Sequence, residues 1–375
     1  MKAVAVTPGH ADPRLVDRAE PSVSAPTEIK LRVLEVGICG TDREEVAGGR
    51  AQAPPGGHEL VIGHEMLGQV VEAGSAVSGI RPGSFGVLSV RRGCASCPAC
   101  LADRSDMCFT GKYTERGIKG ADGYQCEFVV DQAGHFVPVP EDLLDVAVLT
   151  EPMSVAQKAI EEAEAVQRSR LAFLDNLDNP LAGKKILVAG LGAVGLLAAF
   201  SLALRDTDLF GLDVVDEDNP RVKILKRIGA VYVDGRQSLP SAIAKQYGEL
   251  DVVIEAAGVA HLEFDLIDSL GPNGVYVLTG LPGGDRPIQI DGASLVRQIV
   301  LDNQVIVGSV NASLSNFQTG VTALSRARQR WPDAVQAVIT KRFPLEDFHA
   351  ALTQRQPEEI KSVIRWGNRQ RGGVR

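Results

Sequence analysis

A chain of 375 residues, 45% hydrophobic and 23% charged, is too long for one ordinary core and suits two domains. Its net charge of −8 argues against nucleic acid as a partner. Six cysteines, four of them packed into one short stretch, read as a metal site in a reducing, cytoplasmic setting and not as a disulfide framework.

The amino-terminal MKAVAVTPGHADPRL shows no signal-peptide pattern. Alternating apolar residues predict strands over Ile29–Ile38 and Met66–Gly74. Cys39 follows the first of these, with Gly40 permitting a sharp turn and Thr41 supplying a hydroxyl. Before the second strand Gly-His-Glu occurs twice, ending in His58-Glu59 and in His64-Glu65. A histidine beside a glutamate can hold a metal, move protons or do neither, and the residues alone leave this open.

Cys94, Cys97, Cys100 and Cys108 come next, in CASCPACLADRSDMC. Zinc favours four thiolates in a tetrahedron, and short CxxC loops wrap such a set onto one ion. With four cysteines no position is left for water, which marks a structural site. The alternatives are free buried thiols or an iron–sulfur cluster. The Cys-Pro that often closes a cluster motif does not follow the last cysteine.

Helical character begins at Glu151 and runs to Gln167. The apolar run Ile186–Leu204 approaches membrane-span length, but Gly190, Gly192 and Gly195 divide it into a strand, a turn and a buried helix. Six strand candidates follow from Lys184: KKILVAG, DLFGLDV, AVYVD, LDVVIEA, GVYVLTG and QVIVGSV, mostly separated by helical stretches. This is the pattern of a doubly wound parallel sheet. Helix then returns over Ser315–Trp331 and strand over Ile339–Leu345, and the terminal RQRGGVR reads as a frayed tail. The fold class is therefore α/β, with 182–309 as a dinucleotide-binding domain inserted into a β-rich domain of 1–181 and 310–375.

Gly190, Leu191, Gly192, Ala193, Val194 and Gly195 form a GxGxxG loop between a strand and a helix. The first glycine makes the turn, the second admits a pyrophosphate at the helix N-terminus, and the third lets helix and strand pack closely. Asp213 ends the next strand. A carboxylate there accepts both ribose hydroxyls and repels a 2′-phosphate, which favours NAD over NADP. Val214 and Val215 follow it, and the nearest cation is Arg221.

The order CGTD, GHExxGxVxxxG, four cysteines and GxGxxG resembles the zinc-dependent medium-chain alcohol dehydrogenases across nearly the whole chain. LEVGICGTDRE, RRGCASCPAC, TGKYTERGI, EPMSVAQKAIEE, GSVNAS and EEIKSVIRW are similar to one branch, the archaeal-type glucose dehydrogenases. The resemblance implies a GroES-like catalytic domain, with a catalytic zinc held by Cys39, His64, Glu65 and Glu151. The second Gly-His-Glu then carries the metal, and His58-Glu59 is a solvated pair. It also implies that Thr41 relays the substrate proton. Glu115, Asn311, Thr41 and Glu151 would contact a sugar. Thr279, Ser309, Asn311 and Lys361 would join the glycine loop and Asp213 at the cofactor.

The implied reaction is oxidation of an aldose at C1, with zinc as Lewis acid and hydride passing to the nicotinamide, to give a lactone. Two zinc ions per chain and a homodimer or homotetramer come with it. Val90 and Val155 stand where some relatives have polar side chains, so a cyclitol, polyol or other sugar-like alcohol is the alternative substrate. A nucleotide-sensing relic without activity is the alternative outside enzymology, and the complete ligand set argues against it.

Overall fold

In the computed structural model, which describes residues 1–238, 240–284 and 287–367, the alternating run at Ile29–Ile38 becomes the eleven-residue strand Glu28–Ile38. The terminal RQRGGVR lies outside the described residues. The chain forms two compact units, Met1–Ser154 with Asn311–Ser325 and the described residues from Ile339, and Val155–Val310 with Arg326–Val338. Residues 155–181 and 326–338 fall in the second unit, whereas the sequence pattern groups them with the first. The reason is packing: Gln157 donates to the Ser201 hydroxyl, Arg205 pairs with Glu164, and the Trp331 ring lies 6.0 Å from that of Phe200.

The first unit is built on the strand Glu28–Ile38. It pairs antiparallel with Glu65–Ala73, Phe128–Gln132 and Lys361–Arg365, and the sheet continues outward to Phe85–Leu88, Phe136–Pro138 and Ile339–Pro344. Small sheets flank it: Arg14–Asp17 with Lys2–Val6 and Leu60–Val61, and Arg91–Arg92 with Thr114–Arg116 and Gly120–Ala121. Alternate residues Ile29, Leu31 and Val33 join Val36, Met66, Val70 and Tyr124 in one core, as period-two patterning requires. The register of the central strand brings Gly37 opposite Glu65 and Ile38 opposite Ser362, so three distant segments converge where that strand ends.

The second unit holds all six predicted strands in one parallel sheet. Their spatial order is Val231–Asp234, Asp208–Asp213, Lys185–Ala189, Leu250–Glu255, Leu270–Leu278, Val305–Gly308. This is the Rossmann order, reversing direction on either side of Lys185–Ala189. The apolar run after Gly192 is the helix Ala193–Ala203, buried throughout from Gly195 to Leu202. Among the described residues no helix is long and apolar enough to cross a membrane.

The glycine loop shows why its residues are small. Gly190 has φ of +90°, and a Cβ on Gly195 would lie 1.8 Å from the Gly190 carbonyl oxygen. A Cβ on Gly192 would meet nothing within 4 Å. Gly195→Ala must push two backbone segments apart, and overpacking of this kind costs about 1–3 kcal/mol. Its melting temperature is expected to drop by several degrees. Gly192→Ala is expected to melt like the parent while binding a dinucleotide more weakly. Equal melting of all three proteins in a thermal scan would contradict this account of the loop.

Candidate functional site

At the end of the central strand, Cys39 caps the helix Gly40–Val46. Its Sγ accepts the Thr41 N–H at 3.1 Å, and its own N–H donates to Asp42 Oδ2 at 2.8 Å. The cross-strand partner of Gly37 is Glu65, and a Cβ on Gly37 would come within 2.1 Å of Glu65 Oε2. Glycine is therefore required for the carboxylate to sit there. His64 Nε2 lies 3.1 Å from Cys39 Sγ, and its Nδ1 lies 3.5 Å from Asp42 Oδ1. One donor atom from each of Cys39, His64 and Glu65 lies within 4.8 Å of the others.

Lys361 stands behind this group. Its Nζ donates to Glu65 Oε1 at 2.6 Å and to the Ile38 carbonyl at 3.1 Å, with both side chains at most 3% exposed. Expected among the cofactor contacts, Lys361 is instead engaged with a proposed metal ligand. Glu65 Oε2 is buried with no hydrogen-bond partner. Burial pushes the Cys39 thiol up, against the lowering influence of His64. Burial disfavours a charged His64, yet Cys39 and Asp42 hold its pKa well above the ordinary value. A thiol, an imidazole and an unpartnered carboxylate oxygen in this proximity fit a zinc ion. Asp42 beside Nδ1 suits the outer partner that orients a metal-binding histidine.

Glu151, at the start of the helix Thr150–Arg170, stands outside the three-residue group. Burial first, then neighbouring Glu65, push its carboxyl up to about 7, against His64. Thr41 lies half-buried on the helix that Cys39 caps. The first Gly-His-Glu is elsewhere. His58 is exposed, while Glu59 is tied to Arg14 and Arg18, so that glutamate is an ion-paired clamp and not simply solvated.

Cys94, Cys97, Cys100 and Cys108 place their sulfurs within 4.8 Å of one another. Cys94 and Cys100 are 3.8 Å apart, too far for a disulfide. Four thiolates at about 2.3 Å from one ion have edges of about 3.8 Å, so the set fits a single zinc. A multi-iron cluster would interpose its own atoms and spread the sulfurs farther. Hydrogen bonds, the Ser96 hydroxyl foremost, lower the Cys94 thiol to about 5, and Thr110 lowers Cys108 to about 7. Both shifts favour the thiolate that a metal requires.

Glu115 and Asn311, almost two hundred positions apart, meet in the same unit: Asn311 Nδ2 donates to Glu115 Oε1 at 2.6 Å. Asn311 has φ of +60°, a left-handed conformation that asparagine tolerates, and its Oδ1 accepts the Ala312 N–H. Val90 is 1% exposed. Val155 lies on the helix Thr150–Arg170.

In the second unit the glycine loop, Thr279 and Ser309 follow strands of the parallel sheet and Asp213 ends one, all on its carboxyl edge. Asp213 Oδ2 accepts the Leu191 N–H at 2.9 Å, and Arg221 Nη1 lies 3.5 Å from the same oxygen. Thr279 donates through N and Oγ1 to the Glu255 carbonyl, and the buried Ser309 Oγ has no partner. Sequence reasoning passed over Glu255. Its carboxylate accepts N–H groups of Ala257 and Gly258, both at 2.7 Å, and of Gly280 at 3.2 Å, bracing two loops on that edge. An acid at a strand end, like Asp213, was the available signal. Asp42, three residues after Cys39 at a capping position, was a similar one.

Residues 144–366 match the family model described as glucose dehydrogenase C-terminus, and residues 25–141 match that of the alcohol dehydrogenase GroES-like domain. A glucose 1-dehydrogenase of Methanocella arvoryzae is 35% identical over 98% of this chain and 100% of its own. One of Halobacterium salinarum is 37% identical over 89% and 92%. The solved structure of Haloferax mediterranei glucose dehydrogenase in complex with NADP, Zn and gluconolactone superimposes with a TM-score of 0.87. It is 31% identical and covers 98% of this chain and 100% of its own.

Cys94→Ser removes one of four thiolates from a closed set, and a lost structural ligand removes metal-linked folding energy. The variant is expected to hold one zinc fewer per chain and to melt well below the parent. Metal analysis with a thermal scan checks this, and unchanged zinc and melting would refute the structural assignment.

Proposed function

The chain belongs to the glucose dehydrogenase branch of the zinc-dependent medium-chain alcohol dehydrogenases, and on that premise we propose that it oxidises an aldose at C1 to the aldonolactone with reduction of NAD or NADP. The grouping of Cys39, His64 and Glu65 carries this reading. These residues, with Glu151, would hold a catalytic zinc, and the four-cysteine set a structural one. Bound at these sites, zinc and the nicotinamide dinucleotide supply a Lewis acid and a hydride acceptor.

The chain's own side chains do the rest. Lys361 neutralises Glu65 through Oε1, and Oε2 is left without a hydrogen-bond partner. Asp42 fixes the ring of His64. Glu115 and Asn311 orient the sugar, and Thr41 Oγ1 takes the proton of the C1 hydroxyl toward solvent. The alternative substrate is a cyclitol, polyol or other sugar-like alcohol, on the apolar Val90 and Val155 where some relatives have polar side chains.

A panel of aldoses and cyclitols, read by nicotinamide absorbance with each cofactor, tests this. An aldose is expected to give the highest kcat/KM. His64→Ala is expected to lose turnover while keeping dinucleotide affinity, and His58→Ala to behave as the parent. An active His64→Ala beside a dead His58→Ala would reverse the choice of pair. NAD is the proposed preference, on the carboxylate of Asp213. Arg221 beside it moderates that preference, and kcat/KM for NADP equal to or above that for NAD would overturn it.

We also propose a cytoplasmic protein, consistent with six unpaired cysteines, that pairs with a second copy. Val305–Gly308 is an edge strand, Ile306 on it is 38% exposed, and the adjoining helix Gly292–Leu301 exposes Val296, Val300 and Leu301 at 59%, 68% and 71%. An uncovered apolar edge of this kind suits strand-to-strand pairing between copies. Val300→Glu with Ile306→Lys is expected to halve the mass in analytical ultracentrifugation. An unchanged mass would move the interface elsewhere.

A further inference from the structure

We infer that Arg91 is a positioning residue for sugar recognition: it holds Glu115 so that one carboxylate oxygen stays available to a hydroxyl. The inference rests on the proposed contact of Glu115 with the sugar. Arg91 and Glu115 are direct cross-strand partners in the small sheet of Arg91–Arg92 and Thr114–Arg116. Their side chains are 6% and 10% exposed. A carboxylate this far from water needs strong donors.

The way these donors are arranged is unusual. An arginine fork commonly grips both oxygens of a carboxylate. Here Arg91 Nε and Nη2 both reach Oε1, at 3.2 and 2.9 Å, and Asn311 Nδ2 reaches the same atom at 2.6 Å. Three donors thus converge on one oxygen. None of the described residues donates to Oε2, although the side chain is nearly buried. The charge is neutralised through Oε1, and Oε2 keeps its accepting capacity for a polar hydrogen from outside the chain. A sugar hydroxyl is such a donor.

Arg91 is itself pinned on two further sides. Nη1 donates to the Asp106 carbonyl at 2.7 Å, within the loop between Cys100 and Cys108. The guanidinium also lies 3.9 Å from the ring centroid of Tyr113. Rotation that would bring the fork square onto both oxygens therefore breaks a charge-assisted hydrogen bond and a stacked contact. Lysine at this position keeps the charge but lacks the fork, so it cannot hold Asp106 and Oε1 together.

The test is steady-state kinetics on the full-length protein, with the panel sugar of highest kcat/KM. The variants are Arg91→Lys, Arg91→Met, Glu115→Gln and the double variant Arg91→Met, Glu115→Gln. Neighbouring groups that act as a unit are strongly non-additive, with couplings of roughly 2- to 150-fold. Arg91→Met is expected to raise the sugar KM about tenfold, with kcat and the cofactor KM changed less than about threefold, and Arg91→Lys to lie between it and the parent. Adding Arg91→Met to Glu115→Gln is expected to raise KM by less than about twofold more. An unchanged KM in Glu115→Gln would remove the sugar contact, and with it the ground for this inference. A raised KM in Glu115→Gln with a parental KM in the Arg91 variants would overturn the role of Arg91 alone, as would multiplicative effects in the double variant. Should Arg91→Met not fold, the sugar KM of Arg91→Lys decides: a rise of about threefold or more supports the inference, and a parental value overturns it.

Discussion

The buried carboxylate of Glu65 constrains the first unit more than any other group. It can enter only because Gly37 opposite has no Cβ, and Lys361 pairs with its Oε1 from behind. Breaking a buried pair of this kind by removing one partner costs about 3–5 kcal/mol. Residues 37, 65 and 361 come from three strands, so the pair also fixes the register of Glu28–Ile38 against both neighbours. A one-residue slip would send these side chains to the other face. The same register delivers Cys39 and His64 to one corner, so the requirement that stabilises the sheet also assembles the donor group.

The second unit solves a different problem with a different device. Parallel strands bring all their carboxyl ends to one edge, where the loops have freedom to vary. Three backbone N–H groups converge on Glu255 there, and the Leu191 N–H on Asp213. Acids at strand ends thus hold the loops that a dinucleotide would touch. The helix Ala193–Ala203 has no side-chain cap at its N-terminus, which leaves its first amides for an anion.

The sequence displayed whatever is local. The six strands of the parallel sheet were readable because each is an apolar run bounded by polar or glycine turns, and GLGAVG because its glycines answer to steric demands a few residues away. The four-cysteine set was readable because its ligands lie within fifteen positions. What spacing cannot show is which oxygen of a carboxylate is used. Lys361 was assigned to the cofactor by resemblance, and only three-dimensional pairing brings it to Glu65 across nearly three hundred residues. Glu59 looked solvated because Arg14 and Arg18 lie over forty residues before it. The placement of residues 155–181 with the second unit turned on contacts such as Gln157 to Ser201, which no periodicity encodes.

Buried polar atoms without partners are few in native proteins, and each one calls for a reason. In this chain Glu65 Oε2, in the donor corner, and Ser309 Oγ, on the carboxyl edge of the parallel sheet, are among them. Desolvating such atoms costs about 1–3 kcal/mol each. Such a cost is offset wherever a ligand supplies the missing partner, whereas Ile29, Leu31 and Val33 are buried cleanly in an apolar core. Glu115 follows the same logic at smaller scale. Three donors converge on its Oε1 and none of the described residues donates to Oε2, which suits the sugar contact proposed for it.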